Sequence, residues 1–281
     1  MDAQRESGSD GVEDTRGGRN STNPVAAGAS DAPSAPAPVA APVTADAPVT
    51  AAVAVVVPAH NEASRIALTV LAARRLPGVD LVVVVDAAST DSTARVAEES
   101  GAVVVRLGTK VGRTAALLRG IGLVADADLA RAVPRHLLLL DADLQQSAAE
   151  AVRLLEPVLA GTADLVLAGA EPGEVRGARA PRVHQSASRA ARRGIARATG
   201  FATTRPLAAE LCVTRAAFTA AEPLSEGSGA GPGLIIDLLR QGFRVQEVPV
   251  PWDHRPSRRG LRARLREAGR RREVRRALAS R

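Results

Sequence analysis

The hydrophobic residues from about Val53 onward form short, continuous runs of Val, Leu, Ile and Ala, and segments of helical composition separate these runs. Continuous apolar runs are typical of strands that are buried on both faces, as in a parallel sheet. The pattern predicts strands over 53–57, 81–85, 102–106, 136–140, 164–168, 211–213 and 244–250. It predicts helices over 63–75, 91–100, 114–125, 148–159, 177–199 and 234–240. This alternation indicates an α/β fold with a doubly wound, mostly parallel sheet, whose ligand site lies at the carboxyl ends of the strands.

The first fifty residues do not share this pattern. Residues 1–50 are mostly Ala, Pro, Gly, Ser, Thr and Asp, with almost no large apolar side chain. Such a segment cannot bury enough surface to offset the entropy of ordering it, so we expect it to be disordered. The sequence therefore predicts a disordered tail over 1–50, one domain over 51–256 and a basic tail over 257–281.

The basic tail carries eleven arginines against Glu267 and Glu273. The whole chain has a net charge of +7, so the rest of it is close to neutral. A sparse apolar stripe runs among the arginines, at Leu261, Leu265, Val274 and Leu278. A basic helix of this kind can lie on an anionic membrane surface. Alternatively, it packs on the domain as a solvated helix, and the sequence leaves both interpretations open.

Composition excludes several classes of site. The single cysteine, Cys212, excludes an internal disulfide and a thiolate zinc site. Three Phe, one Trp and no Tyr disfavour stacking on carbohydrate or on nucleic-acid bases, so no specific nucleic-acid partner is expected. We find neither the apolar segment of a secretory signal nor the roughly 18 apolar residues of a membrane span. The expected location is cytoplasmic, with peripheral contact at the inner membrane face if the basic tail binds lipid.

Polar residues follow three of the predicted strands, where the strands end. A Pro-Ala-His-Asn-Glu loop begins at Pro58, Asp86 follows the second strand, and Asp141 and Asp143 follow the fourth. Like charges at one sheet edge repel one another unless a cation or a ligand lies between them. Two carboxylates two residues apart can both turn toward one Mg²⁺ or Mn²⁺, which prefers oxygen ligands and leaves positions open for phosphates. The alternative is a turn in which Asp143 caps the next helix.

Two further positions fit contacts with a nucleotide. A carboxylate at Asp86 can accept a hydrogen bond from a nucleobase, whereas the nearby Ser89, Asp91 and Thr93 have the composition of a helix cap. Arg113 precedes a predicted helix, so its guanidinium and the neighbouring backbone amides can meet phosphate. This segment is not a Walker loop, because no G-x-x-x-x-G-K-[ST] occurs.

These motifs, in their order along about 200 residues, resemble glycosyltransferase family 2. The motifs are P-A-H-N-E, V-V-D-A-A-S-T-D-S-T, G-R-T-A-A-L, L-D-A-D-L-Q and G-F-R-V-Q-E-V-P-V-P-W-D-H-R. The resemblance implies a GT-A fold that binds a nucleotide sugar, with Asp141 and Asp143 holding the metal. It also implies that the nucleotide sugar contacts Pro58, Ala59, Glu62, Asp86 and Ala142.

The form D-A-D-L-Q is most similar to the branch that contains polyprenyl-phosphate mannose synthases, in which the match to Gln145 also binds the metal. The later half is similar to actinobacterial members of the family. The chain departs from the family pattern at Ala87, where a second acid is usual, and at Ala88, where Gly is usual. It also has Gly112-Arg113-Thr114 in place of G-K-G, Ala208-Ala209 in place of Ser-Gly, and no glutamate near Gly231. These departures leave open an enzyme of low activity.

The predicted function is metal-dependent transfer of a sugar from a UDP- or GDP-linked donor to an unidentified acceptor, either a lipid phosphate or a small hydroxyl compound. Residues 51–170 form the donor half and residues 171–256 the acceptor half. A hydroxyl acceptor needs a general base, for which Glu210 and Asp237 are candidates. The alternatives are a sugar-phosphate nucleotidyltransferase and a non-catalytic protein that binds membrane or nucleic acid through its basic tail.

Overall fold

A seven-stranded sheet lies at the centre of the computed structural model, which describes residues 52–171, 185–252 and 261–281. Its strands are β1 (Val53–Ala59), β2 (Val79–Ala87), β3 (Val103–Leu107), β4 (His136–Leu139), β5 (Leu165–Gly169), β6 (Leu211–Val213) and β7 (Val245–Pro249). They are ordered β3-β2-β1-β4-β6-β5-β7. β6 runs antiparallel to β4 and β5, whereas the other neighbouring pairs are parallel, which confirms the predicted mostly parallel sheet. The predicted tail over 1–50 lies outside the described residues.

Helices cover both faces of this sheet. They are α1 (Ile66–Ala73), α2 (Thr93–Glu99), α3 (Arg113–Asp128), α4 (Val152–Leu159), α5 (Gln185–Thr199), α6 (Arg215–Ala220), α7 (Ala230–Arg240) and α8 (Leu261–Ala279). Short 3₁₀-helices at Gln145–Ala151 and Gly227–Gly229 precede α4 and α7. The alternating side chains of β1 enter two separate cores: Val55 and Val57 face one, and Ala54 and Val56 face the other. This two-sided burial explains why the strand is apolar throughout.

Helix α3 approaches the sheet closely at Gly120. A Cβ atom at this position would lie 2.5 Å from Cγ1 of Val56 and 2.8 Å from Cγ2 of Val85. Gly120 therefore lets the helix backbone rest on β1 and β2. The close packing fixes the first turn of α3 at the edge where these strands end.

An ion-pair network lies at the opposite end of the strands, where β2 and β4 begin. Arg135 binds both Asp80 and Asp128, and Arg215 binds the other oxygen of Asp128 at 2.8 Å. Burial, and then the positive charge of Arg215, lower the pKa of His136 below 6.5. This network is structural, since it is separated from the polar loops by the length of the strands.

Helix α8 packs against α5, α7 and the 3₁₀-helix at Gly227–Gly229. Val274 is fully buried and Leu278 packs on the core, whereas the side chain of Leu265 is 67% exposed. Leu261 begins the helix, but its side chain lies outside the described residues. Two of the four positions of the predicted apolar stripe, Val274 and Leu278, thus face the domain. Among the helices described, none has the length and apolar composition needed to cross a bilayer.

Candidate functional site

A cavity of about 170 Å³ opens at the edge where β1, β2 and β4 end. Its walls are formed by Pro58, Ala59, His60, Ala87, Val111, Arg113, Ala116 and Asp141. The structure therefore brings together four residues that the sequence predicts to contact a nucleotide sugar: Pro58, Ala59, Arg113 and Asp141. His60 was not singled out by sequence reasoning. Its Nδ1 lies 2.9 Å from the carbonyl oxygen of Ala87 and, since a carbonyl only accepts, must carry the proton.

Asn61 joins the loop after β1 to the loop after β2. Its backbone has a φ of 57°, its side-chain oxygen accepts from the amide of Thr90 at 2.8 Å, and its own amide donates to the Ser89 hydroxyl at 2.9 Å. The next amide, that of Glu62, donates to Oγ1 of Thr93 at 2.8 Å. These bonds hold Glu62 beside the second loop, although Glu62 does not line the cavity.

Asp86 ends β2 with a carboxylate that is turned back onto its own loop. The residue is only 6% exposed, and its Oδ1 accepts from the amide of Ser89 at 3.2 Å and from the Ser89 hydroxyl. Ala88 adopts a φ of 58°, a left-handed conformation that costs a residue other than glycine about 1–2 kcal/mol. The usual family glycine at this position would avoid that cost. Contact of Asp86 with a nucleobase stays a prediction.

The predicted cap residues at the start of α2 do form a local network. Asp91 accepts from the amide of Thr93 at 3.0 Å and from the amide of Ala63 at 3.3 Å. Burial raises the pKa of Asp91, but the hydrogen bonds from Thr93 and Ala63 outweigh burial and lower the pKa below 3.8. Asp91 thus stays ionised and ties α2 to the loop after β1.

Thr69 on α1 holds the acidic loop in place, a role that the sequence did not suggest. Its fully buried hydroxyl donates to the carbonyl of Ala142 at 2.9 Å and accepts from the amide of Gln145 at 2.8 Å. Gln145 has a φ of 54°, so the chain turns sharply there. Asp143 and Gln145 are half-buried on this loop and do not line the cavity. Leu144, rather than Asp143, occupies the cap position of the following 3₁₀-helix.

Asp141 forms an ion pair with Arg113 across the cavity wall. Oδ1 of Asp141 lies 2.8 Å from Nε and 2.7 Å from Nη2 of Arg113, and Nη2 also donates to the carbonyl of Ala209 at 3.1 Å. The side chain of Arg113 is 34% exposed and that of Asp141 is 31% exposed. Arg113 is the first residue of α3, and the next residue, Thr114, donates to the carbonyl of Gly227 at 3.0 Å.

The acidic loop fits a hard divalent cation whose coordination is completed by other molecules. A cation, the guanidinium of Arg113, already lies against Asp141. Within residues 52–171, 185–252 and 261–281, no three His, Cys, Asp or Glu side chains cluster in a way that could hold a metal alone. Mg²⁺ in nucleotide sites is usually held by one or two carboxylates together with water and substrate phosphates. Binding of a metal by Asp141 and Asp143 stays a prediction.

The two candidate bases lie in different surroundings. Glu210 is buried at the start of β6, directly after the Ala209 carbonyl that binds Arg113. Asp237 lies on α7, and its two carboxylate oxygens bind Nε and Nη2 of Arg281, each at 2.6 Å. Neither side chain lines the cavity: Glu210 follows the Ala209 carbonyl that binds Arg113, whereas Asp237 joins α7 to the C-terminal helix.

Solved structures define the class of protein to which this fold and cleft belong. The chain is similar to glucosyl-3-phosphoglycerate synthase from Mycobacterium tuberculosis in complex with phosphoglyceric acid, at 26% identity and a TM-score of 0.62, covering 82% of this chain and 79% of that chain. The same enzyme in complex with Mn²⁺, UDP and glucosyl-3-phosphoglycerate has a TM-score of 0.58 at 26% identity, with the same coverage. The fold is that of a GT-A glycosyltransferase.

The sequence profile of Glycosyl transferase family 2 matches residues 54–217, which is more than half of the chain. The protein therefore belongs to glycosyl transferase family 2. It is 28% identical over 206 residues to glycosyltransferase AglJ of Haloferax volcanii, covering 73% of this chain. The chain spans 64% of that relative, less than two thirds of its length. The finer resemblance to polyprenyl-phosphate mannose synthases stays a prediction.

Proposed function

We propose that this enzyme transfers a hexose from a UDP-linked donor, with Mg²⁺ or Mn²⁺ bound by Asp141 and Asp143. The observation that carries the proposal is the position of Asp141, which lines the cavity at the strand ends and already faces a cation. The similar mycobacterial enzyme has been crystallised with Mn²⁺ and UDP-glucose, and with Mg²⁺ and UDP. Together these observations favour a uridine donor over the guanine donor of the mannose-synthase branch.

The residues around the cavity have separable roles in this proposal. Pro58, Ala59 and Ala87 form the wall against which the nucleoside packs, and Asp86 accepts a hydrogen bond from the base. The guanidinium of Arg113 binds the diphosphate with charge-assisted hydrogen bonds. A divalent metal, when bound, neutralises the negative charge that develops on the diphosphate as the bond to the sugar breaks. In this proposal Gln145 is a third ligand of the metal.

Glu210 is the proposed general base for a hydroxyl acceptor. It directly precedes β6, and by extension of the register of β6 with β4 its backbone lies beside the chain that leads into Asp141. A carboxylate at that position can remove the hydroxyl proton as the oxygen attacks the sugar carbon. Asp237 is a weaker candidate, because its pairing with Arg281 would have to break first.

The acceptor is proposed to be a small phosphorylated hydroxyl compound. Phosphoglyceric acid is bound in the structure of the similar synthase. A lipid phosphate is the second candidate, favoured by the outer face of α8, where Arg272, Arg275 and Arg276 are exposed on the same helix as Leu265. That face has the composition for peripheral contact with anionic lipid.

The donor is tested by thermal shift with UDP, GDP and ADP, each with and without Mn²⁺. A ligand at a hundred times its dissociation constant stabilises the folded state by about 2.7 kcal/mol. We expect stabilisation by UDP with Mn²⁺, its loss in Asp141→Asn and its retention in Asp126→Asn, a matched change at an exposed position of α3. No stabilisation by any nucleotide, or full stabilisation of the Asp141 variant, would contradict the proposal.

The acceptor is tested by incubating the enzyme with UDP-glucose and either 3-phosphoglycerate or a polyprenyl phosphate in vesicles, and measuring UDP release. Release with 3-phosphoglycerate alone supports a small acceptor. Release with the vesicles alone supports the lipid phosphate instead. Loss of release in Glu210→Gln, with UDP binding unchanged, is the expected result for a general base.

A further inference from the structure

The guanidinium of Arg113 lies against one carboxylate oxygen of Asp141, the residue proposed above to bind the metal. Two of its nitrogens, Nε and Nη2, contact the same oxygen, Oδ1 of Asp141, at 2.8 and 2.7 Å. The Nη2 group has a second anchor, since it also donates to the carbonyl of Ala209 at 3.1 Å. A divalent cation and this guanidinium cannot both lie against one oxygen without strong repulsion. A metal that binds this oxygen of Asp141 therefore requires the guanidinium of Arg113 to move away from it.

We propose that Arg113 is a latch that couples metal binding to donor binding. Without donor, Arg113 neutralises Asp141 and competes with the metal. When the metal arrives with a nucleotide diphosphate, the guanidinium leaves Asp141, keeps its contact with Ala209 and binds the diphosphate. The inference rests on the proposed function, because it requires a diphosphate donor held by a metal at Asp141.

The surroundings of Arg113 confine this exchange to the side chain. The backbone at this point is fixed, because Thr114 donates to the carbonyl of Gly227 and Gly120 holds α3 against the sheet. The side chain itself is 34% exposed, so its head can turn without opening the core. The cavity that would hold the diphosphate is lined by Arg113 and Asp141 together, so the guanidinium can reach both partners.

The latch makes two predictions of opposite sign for one variant, Arg113→Gln. Free Mn²⁺ should bind this variant about two- to fivefold more tightly than the wild type, because an ion pair of this exposure competes with the metal only modestly. In the presence of saturating UDP, Mn²⁺ should bind on the order of tenfold more weakly, because a charge-assisted hydrogen bond to phosphate is lost. If Arg113 had only a structural role, its replacement would not raise the Mn²⁺ affinity without UDP and lower it with UDP.

Electron paramagnetic resonance of free Mn²⁺ measures both affinities in the full chain. The matched control is Arg95→Gln, which removes the exposed pair with Glu99 and should change neither affinity. Arg113→Lys keeps the charge and should bind free Mn²⁺ as the wild type does. Circular dichroism checks that each variant is folded, and Arg113→Met, which also removes the charge, serves as the test if the glutamine variant is not.

Unchanged or weaker binding of free Mn²⁺ to Arg113→Gln would overturn the latch. So would free Mn²⁺ affinity of Arg113→Lys that differs from the wild type. A wild-type enzyme that binds UDP equally well in EDTA would instead contradict the metal-dependent function itself. The two failures are therefore distinguishable from the wild-type measurement alone.

Discussion

The hydroxyl of Thr69 accepts a hydrogen bond of 2.8 Å from the backbone amide of Gln145, 76 residues further along the chain. The same hydroxyl donates to the carbonyl of Ala142, so one buried side chain of α1 fixes both ends of the turn that contains Asp143. The acidic loop is thus positioned by the helix that follows β1 as well as by the strand that leads into it.

Thr69→Val should destabilise the protein and loosen this loop. Valine keeps the shape of threonine but leaves the Ala142 carbonyl and the Gln145 amide without their buried partner, which costs about 1–3 kcal/mol. Urea denaturation measures the loss. Thr162→Val is the matched control, since Thr162 is exposed and donates to the Pro157 carbonyl at 3.0 Å. Equal stability losses in the two variants would contradict the role given to Thr69.

Gly120→Ala should destabilise the protein by about 1–3 kcal/mol, because the added methyl group overlaps the side chains of Val56 and Val85. Gly122→Ala, two residues later on α3, has no atom within 4 Å of the added group and should stabilise the helix by about 0.5–1 kcal/mol. Thermal unfolding of the two variants tests the prediction. Effects of the same sign would show that α3 does not pack on the sheet as described.

Glu267→Ala should weaken the attachment of α8. The buried carboxylate accepts from the amide of Ala187 at 2.9 Å and from the hydroxyl of Ser186 at 3.0 Å, and so caps the first turn of α5. Loss of a helix cap costs about 0.5–2 kcal/mol. Hydrogen exchange of the α8 amides should rise in this variant and stay unchanged in Glu99→Ala, which removes an exposed surface pair.

His136 should make stability fall as the pH is lowered. Its pKa in the folded protein is below 6.5, mainly because of burial and also because of Arg215. As the pH falls below about 6.5, the unfolded chain takes up a proton that the folded protein does not, so the free energy of unfolding decreases. Urea titrations at pH 7.5 and 5.5 measure the change. His136→Asn should show a smaller decrease over this range; an unchanged pH dependence would refute the assignment.

The strands could be predicted closely from sequence because each is an uninterrupted apolar run. The predicted strand over 211–213 matches β6, but its insertion between β4 and β5 could not be predicted, since three residues do not specify their neighbours. The six-residue helix α6 was missed because it is too short to show a helical period. Its start is nevertheless marked by Thr214, whose side chain accepts from the amide of Ala217.

The sequence predicts the site residues that lie where parallel strands end. It does not predict contacts between side chains that are far apart along the chain. Pro58, Ala59 and Asp141 reach one cavity because parallel strands end at one edge. The pairing of Asp237 with Arg281 joins residues that are 44 positions apart, and nothing in the local sequence of Asp237 indicates it. The same limit applies to Thr69, a single polar residue on an otherwise apolar helix face.

The reversed direction of β6 brings a segment that precedes a strand to the end of the sheet where the other site loops follow their strands. Loops that reach the cavity from β1, β2 and β4 follow their strands, whereas Glu210 lies immediately before β6, which runs in the opposite direction to β4. In the proposed function, the residues that bind the donor therefore follow β1, β2 and β4, and the residue proposed to meet the acceptor precedes β6. If Glu210 meets the acceptor as proposed, changes in the segment ahead of β6 should alter the choice of acceptor and leave UDP binding unchanged.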